Sequence, residues 1–292
     1  MSQTIRADVG AEELDLEAVE RKLPRINWKS SIPFLALQLS PLFIFVTGVT
    51  RTALILFAIT YFGRMFLITG VYHRYFSHKA YRLNRFWQFV FAFGAGTCGQ
   101  KGPLWWAGHH RNHHKFSDTE RDLHSPRDGF WWSHIGWIMS DAYGETRYDQ
   151  IQDFAKYPEL RWLNAHDWVA PWSLGVLCWL IGGWSGLVVG FFTSTVLLWH
   201  STFLVNSLAH VMGRRPYETD DTSRNSTIIA IITAGEGWHN NHHRYQSSAR
   251  QGFRWWQIDV TFYGLWLLSK VGIVKDLRPV PRRVIDEARR KS

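Results

Sequence analysis

The chain has 292 residues and a formal net charge of +9, with 33 Lys and Arg against 24 Asp and Glu. Its two cysteines, Cys98 and Cys178, form no CxxC pair, which argues against a disulfide framework or a cysteine-type zinc site. Seventeen tryptophans and 16% aromatic residues suit a membrane interface better than a soluble domain. The positive balance fits a membrane surface or an acidic partner, and no nucleic-acid motif accompanies it.

In chain order, residues 1–30 are polar and mixed in charge, and read as a cytoplasmic N-terminal segment without a signal peptide. Residues 31–50 carry no charge, and Arg51 is followed by the apolar TALILFAITYFG. A helix needs roughly 20 apolar residues to cross the hydrocarbon core, so 31–72 reads as a first transmembrane hairpin, with spans near 32–49 and 52–72. Arg64 interrupts the second span, and snorkelling toward the interface is the reading open to it. Residues 73–167 form a cytoplasmic segment; within it, the uncharged 86–100 is too short to span and reads as a helix lying in the interface. Residues 168–213 contain no Asp, Glu, Lys or Arg. A second hairpin therefore fills 168–206, with spans near 168–183 and 186–206 and a turn at GGWSG. Residues 207–292 close the chain as a cytoplasmic segment, whose basic tail from Lys270 is either solvated or grazes anionic headgroups. Apart from Arg51 and Arg64, the Lys and Arg residues fall outside the hairpins. By the positive-inside rule, the termini and the intervening segment are then cytoplasmic. The expected fold is an all-α integral membrane protein, with four transmembrane helices in two hairpins under a cytoplasmic helical cap. Long buried helices of a soluble protein are the alternative.

Most of the fourteen histidines fall in three groups, HRYFSH at 73–78, HHRNHH at 109–114 and HNNHH at 239–243. His110, His113 and His114 share one helical face by i, i+3, i+4 spacing, and His239, His242 and His243 repeat the pattern. Asn206 and His210 repeat its i, i+4 part, while His73 and His78, five apart, suit a helix end. All these groups lie on one side of the membrane: His73, His78 and His210 where spans leave it, and the groups at 109–114 and 239–243 in the cytoplasmic segments. Neutral imidazole is a good ligand for first-row transition metals, and three on one face fill half a coordination shell. Eight or nine such nitrogens are too many for one metal and about right for two. A lone histidine is usually a satisfied core residue; HxxHH in two separate segments is not. His109 is a possible substitute ligand. His124 and His134 are expected to hydrogen-bond around the site. His166 and His200 read as structural, His200 needing a partner inside its span.

HRYFSH, HRNHHKFSDTERDLHSPRDGFWWSHIGW, NSLAH and GEGWHNNHH, in this order, resemble the membrane acyl-CoA desaturases of the stearoyl-CoA type over about residues 50–265. His239, where the front-end desaturases have glutamine, sets the chain apart from them. The resemblance implies dimetal ligands at His73, His78, His110, His113, His114, His210, His239, His242 and His243, with Asn206 holding a metal-bound water. The metals implied are two non-haem iron ions (Fe2+). It implies O2-dependent insertion of a cis double bond, at the delta-9 position, into a saturated acyl chain, with acyl-CoA the favoured carrier. It also implies an acyl tunnel bending at Gln100, Trp106 and Thr202 and closing near Tyr61 and Met65. Trp106 equally suits an interface anchor. Met65 is bulkier than the small residue frequent there, which points to shorter chains. Gly108 and His109 stand where animal enzymes carry an Arg-Asp pair, and Lys101 follows Gln100, so a glycerolipid or an acyl carrier protein stays open as carrier. The electron donor is expected to be external, of ferredoxin or cytochrome b5 type, because roughly 30 residues at each end cannot hold a fused domain. The alternatives are a membrane di-iron hydroxylase acting on an aliphatic lipid, and a metal transporter or haem protein, which would place its ligands within the spans.

Overall fold

The computed structural model describes residues 23–289. Most of the expected polar N-terminal segment and the last three residues of the basic tail lie outside that range. Among the described residues all regular structure is helical, and strand-like pairing is limited to isolated bridges.

The first apolar helix, α1 (Ile32–Thr47), tightens to a 3-10 turn over Ser40–Phe43, where Pro41 has no N–H to offer. Gly48, at φ +67°, ends it. Thr50 caps α2 (Arg51–Ser77) by accepting from the Ala53 N–H at 3.1 Å. Asn84 caps α3 (Arg85–Gly96) in the same way through the Trp87 N–H. The uncharged stretch 86–100 is thus helical, ending four residues early because 97–100 turns instead. Pro103 opens α4 (Pro103–Phe116), which carries HHRNHH. Then α5 (Val169–Ser185) breaks at Gly183, whose φ of +59° no helix accommodates. The chain reverses inside the expected GGWSG turn, and α6 (186–210) runs back along α5, with Trp172 against Phe191 and Phe192. The short helices α7 (Thr227–Ile232) and α8 (His239–Arg244) and the longer α9 (Val260–Lys270) complete the parts used below.

Small residues let the apolar helices approach closely. A Cβ at Gly190 would lie 2.8 Å from Leu56 Cβ, and Thr60 donates to the Gly190 carbonyl at 2.6 Å. Ser185 donates to the Gly48 carbonyl and accepts from the Thr50 N–H, so the α1–α2 and α5–α6 turns meet at one end of the bundle. Phe45, Ile59, Phe62, Leu180 and Trp184 face outward, an apolar surface of a kind soluble monomers avoid. Two helical stretches, Arg51–Ser77 and Val169–His210, are long and apolar enough to cross a membrane.

Arg64 does not snorkel. It is 2% exposed, donating from Nε to the Thr60 carbonyl, from Nη1 to Thr195 Oγ1 and the Thr97 carbonyl, and from Nη2 to Ser194 Oγ. Neutral oxygens on α2, α6 and the turn after α3 replace water around the guanidinium, which would be costly to bury bare. The last third of the chain packs along α2 as well. Thr69 and Thr261 hydroxyls meet at 2.8 Å, and Tyr61 OH donates to the Ile232 carbonyl at the end of α7, at 3.4 Å.

Candidate metal centre

The last ten residues of α2, Ile68–Ser77, form a π-helix. An i→i+5 ladder stacks residues five apart, and the His78 N–H donates to the His73 carbonyl at 3.3 Å. The HRYFSH spacing, expected to mark a helix end, therefore places both rings on one face. Helix α4 presents His110, His113 and His114, and all five residues of HNNHH are buried on α8. The two asparagines brace that turn: Asn240 accepts from the Tyr217 N–H and donates to its carbonyl, while Asn241 holds Asn225, Gln251 and Gln257.

The nine histidines gather into two groups, His73, His78, His110, His114 and His242 in one, and His113, His210, His239 and His243 in the other. Within each, one nitrogen per ring lies within 4.8 Å of all the others. In the first group Nε2 atoms follow one another at 3.0–3.1 Å, from His73 to His242, His114, His110 and His78. His210 and His239 repeat the spacing at 3.0 Å in the second. Hydrogen bonding cannot account for this chain of contacts. A ring nitrogen carries one proton or one lone pair in the ring plane, yet His242, His114 and His110 each have two Nε2 neighbours. Converging lone pairs suit a cation, and about 3 Å is the edge of an octahedron with metal–nitrogen bonds of about 2.1 Å. His243 Nε2 is buried without a hydrogen-bond partner, as a nitrogen reserved for a metal would be.

Electrostatics agree with ligation. Burial, and then the neighbouring rings, push His78, His110, His114, His239 and His242 well below the ordinary histidine range, which keeps them neutral. Four carboxylates take up the outward nitrogens of four of the nine rings. Asp122 accepts from His113 Nδ1 at 2.9 Å and Asp118 from His210 Nδ1 at 3.3 Å, while Asp221 holds His243 and Glu236 holds His73. Such partners fix the tautomer that aims a lone pair from Nε2 inward. Burial works to raise Asp118, but His210 and Thr222 hold it lower, at about 2. Burial is likewise outweighed at Glu236, where His73 and Arg74 keep the carboxyl at about 2. Arg74, fully buried, binds Glu236 at 2.9 Å, Asp259 at 2.9 Å and the Ala249 carbonyl at 2.8 Å. None of these acids was singled out in the sequence, though DTERD and GEGW place three of them beside histidine boxes.

The remaining histidines sort as follows. His109 turns away and bonds the Glu145 carbonyl at 2.9 Å, so it is no substitute ligand. His124 packs on His113 at 4.3 Å between centroids, close to Asp122. His134 joins Ser207 and His200, and His200 reaches Gln38 on α1, the partner it needed. The His166 ring bonds the Trp162 carbonyl one turn back at 3.0 Å.

The residues expected to line a tunnel also meet. Gln100 donates to Thr202 Oγ1 at 2.8 Å and accepts from Trp106 Nε1 at 3.2 Å. Trp106 stacks on His110 at 4.8 Å, which joins this set to the first histidine group. Tyr61 OH contacts Ser201 Oγ at 2.9 Å, and Met65 is buried one turn further along α2. Asn206 lies one turn before His210, and its amide makes no hydrogen bond among the described residues.

The family model for fatty acid desaturases matches residues 50–266. This chain belongs to the fatty acid desaturase family. The desaturase is 36% identical to an sn-1 stearoyl-lipid 9-desaturase of Anabaena variabilis, over 87% of this chain and 95% of that protein. It is 37% identical to an sn-2 palmitoyl-lipid 9-desaturase of Nostoc, over 88% and 92%. It is also 39% identical to an acyl-CoA C20 Delta5-desaturase of Anemone leveillei, over 75% and 71%. The protein is an oxidoreductase of fatty acyl chains, with histidine clusters compatible with a metal site.

Proposed function

We propose that the nine histidines hold two iron ions, with Asn206 carrying a water at His210's group, and that the desaturase uses O2 to insert a cis double bond at the delta-9 position. The observation that carries this is the convergence of nine imidazoles into two sets at coordination-edge spacing. Bound iron would supply the reduction of dioxygen and the abstraction of hydrogens from methylenes that no ordinary base can deprotonate. The chain's own residues position the substrate. Gln100, Trp106 and Thr202 form a hydrogen-bonded collar beside His110, which fixes the reacting carbons against the first histidine group and keeps water out. Asp118, Asp122, Asp221 and Glu236 hold four of the ligand rings, His210, His113, His243 and His73, in one tautomer.

In this reading the four apolar segments span the bilayer as two hairpins, and the histidine groups, the termini and an external ferredoxin or cytochrome b5-type donor share the cytoplasmic side. The meeting of both hairpin turns at Ser185, away from the histidines, supports it. Acyl-CoA is the carrier expected from the sequence. A glycerolipid is the second reading, favoured because two relatives aligned over most of their length carry acyl-lipid names. Gly108, moreover, offers no side chain at the position where the resemblance expects a CoA-headgroup contact.

Expression of the intact protein in cells, followed by gas chromatography with double-bond localisation in separated lipid classes, tests the proposal. New delta-9 monoenes that disappear with His242→Ala are expected. A hydroxylated product, or an unchanged profile in cells where the protein binds iron, would overturn it. Met65→Ala should lengthen the preferred chain from palmitoyl toward stearoyl; an unchanged ratio of the two monoenes would remove Met65 from the tunnel floor.

A further inference from the structure

A second built cleft, of about 430 Å³, lies between the end of α2, the start of α3 and the segment at 153–157. That volume is in the range of small-molecule sites, about 300–1,000 Å³. None of the nine clustered histidines lines it. Four cations do, namely Lys79, Arg82, Arg85 and Arg278, against one lining carboxylate, Asp153. Lys79 pairs with Asp153, Arg82 with Asp276 and Arg85 with Glu159. In each pair the cation is more than half exposed; the Lys79 and Arg82 contacts are weak and can re-form around another anion, while Arg85 is held bidentately by Glu159. The Arg278 guanidinium has no partner among the described residues.

The floor is more telling than the rim. Gln88 is 3% exposed, and its Oε1 accepts from Tyr75 OH at 2.9 Å. Its Nε2 is buried with no hydrogen-bond partner. Folded proteins rarely leave a buried amide donor unsatisfied, and here it borders a cavity ringed by cations. Arg85 and Gln88 also belong to the first turn of α3, a twelve-residue helix whose N-terminal end attracts negative charge. Fork-shaped guanidinium donors, an ammonium and an amide N–H together match a group with several acceptor oxygens, as a phosphate has. The exposed Phe86 and Phe89 on the same helix place the cleft at an apolar surface.

We propose that this cleft binds a phosphate group at the membrane surface, with Gln88 and Arg278 as its direct contacts. The group can come from an anionic phospholipid headgroup or from free phosphate. The test uses the full-length protein in an uncharged detergent and follows its thermal unfolding midpoint. The added probes are water-soluble short-chain phosphatidylglycerol, inorganic phosphate, and phosphatidylcholine of the same chain length as a zwitterionic control. A saturable rise with phosphatidylglycerol alone identifies the headgroup. A saturable rise with inorganic phosphate that phosphatidylglycerol does not extend identifies the free anion. In either case Gln88→Leu and Arg278→Ala should each weaken the apparent affinity at least tenfold. Arg278 is exposed, so its variant keeps the test decisive if Gln88→Leu fails to fold. No saturable rise with either anionic probe, or an Arg278→Ala protein that binds as tightly as its parent, would overturn the proposal.

Discussion

Replacing Arg74 with methionine is expected to lower the thermal unfolding midpoint of the purified desaturase by about 10 °C. The guanidinium is 1% exposed and holds two buried carboxylates, Glu236 and Asp259, at once. Asp259 in turn accepts from the Gln251 and Phe262 N–H groups, so the network ties α2 to the start of α9. Methionine fills similar space but leaves both carboxylates without their cation, and breaking a buried pair in this way costs about 3–5 kcal/mol. At roughly 2–4 °C per kcal/mol for chains approaching this size, that loss gives the expected drop. Arg244→Met is the control, because its pair with Glu287 is partly exposed and worth about 0–1 kcal/mol. Comparable shifts for the two variants, scanned at one rate, would show that the Arg74 network does not hold the fold together.

The second large effect is expected at Glu236. Glu236→Gln should weaken metal binding by about 10- to 100-fold, the usual consequence of losing a carboxylate behind a ligating histidine. Glu236 holds His73 Nδ1, and His73 Nε2 starts the first group's chain of contacts at His242. An amide can turn an N–H toward Nδ1, which favours the tautomer whose proton sits on Nε2, where a metal would bind. Metal titration with equilibrium dialysis should show one weakened site and one unchanged site per chain, since the second group has its own acids in Asp118, Asp122 and Asp221. Parent-like affinity at both sites would mean that Glu236 does not orient His73.

These two residues were also the hardest to read from sequence. The histidine boxes stand out because ligand chemistry depends on one residue type at helical spacing, and the apolar segments because charge is missing over long runs. Both signals are periodic or continuous. Glu236 and Asp118 are single acids whose meaning depends on which ring they face, and nothing local records that. Arg74 sits inside HRYFSH and passes for a surface cation beside a metal box. Arg64 is satisfied by Thr60, Thr97, Ser194 and Thr195, oxygens scattered over more than a hundred residues. Its resting place exists only once α2, the turn after α3 and α6 are packed. Asn240 and Asn241 likewise find their partners only when the chain around 217–225 folds over α8.

The π-helical end of α2 also constrains how the chain can vary in length. On an ordinary α-helix, at about 100° per residue, positions five apart lie about 140° apart around the axis. His73 and His78 would then look in different directions. One surplus residue, absorbed between Ile68 and Ser77 as a widened ring, brings them into line. Deleting one residue outside the pair, such as the apolar Val71, so that the stretch closes to an ordinary α-helix, would turn one of the two rings away while leaving both histidines five apart. The aim of the first box therefore rests on the count of residues in the helix as much as on their identity, and substitution scanning alone would never expose it.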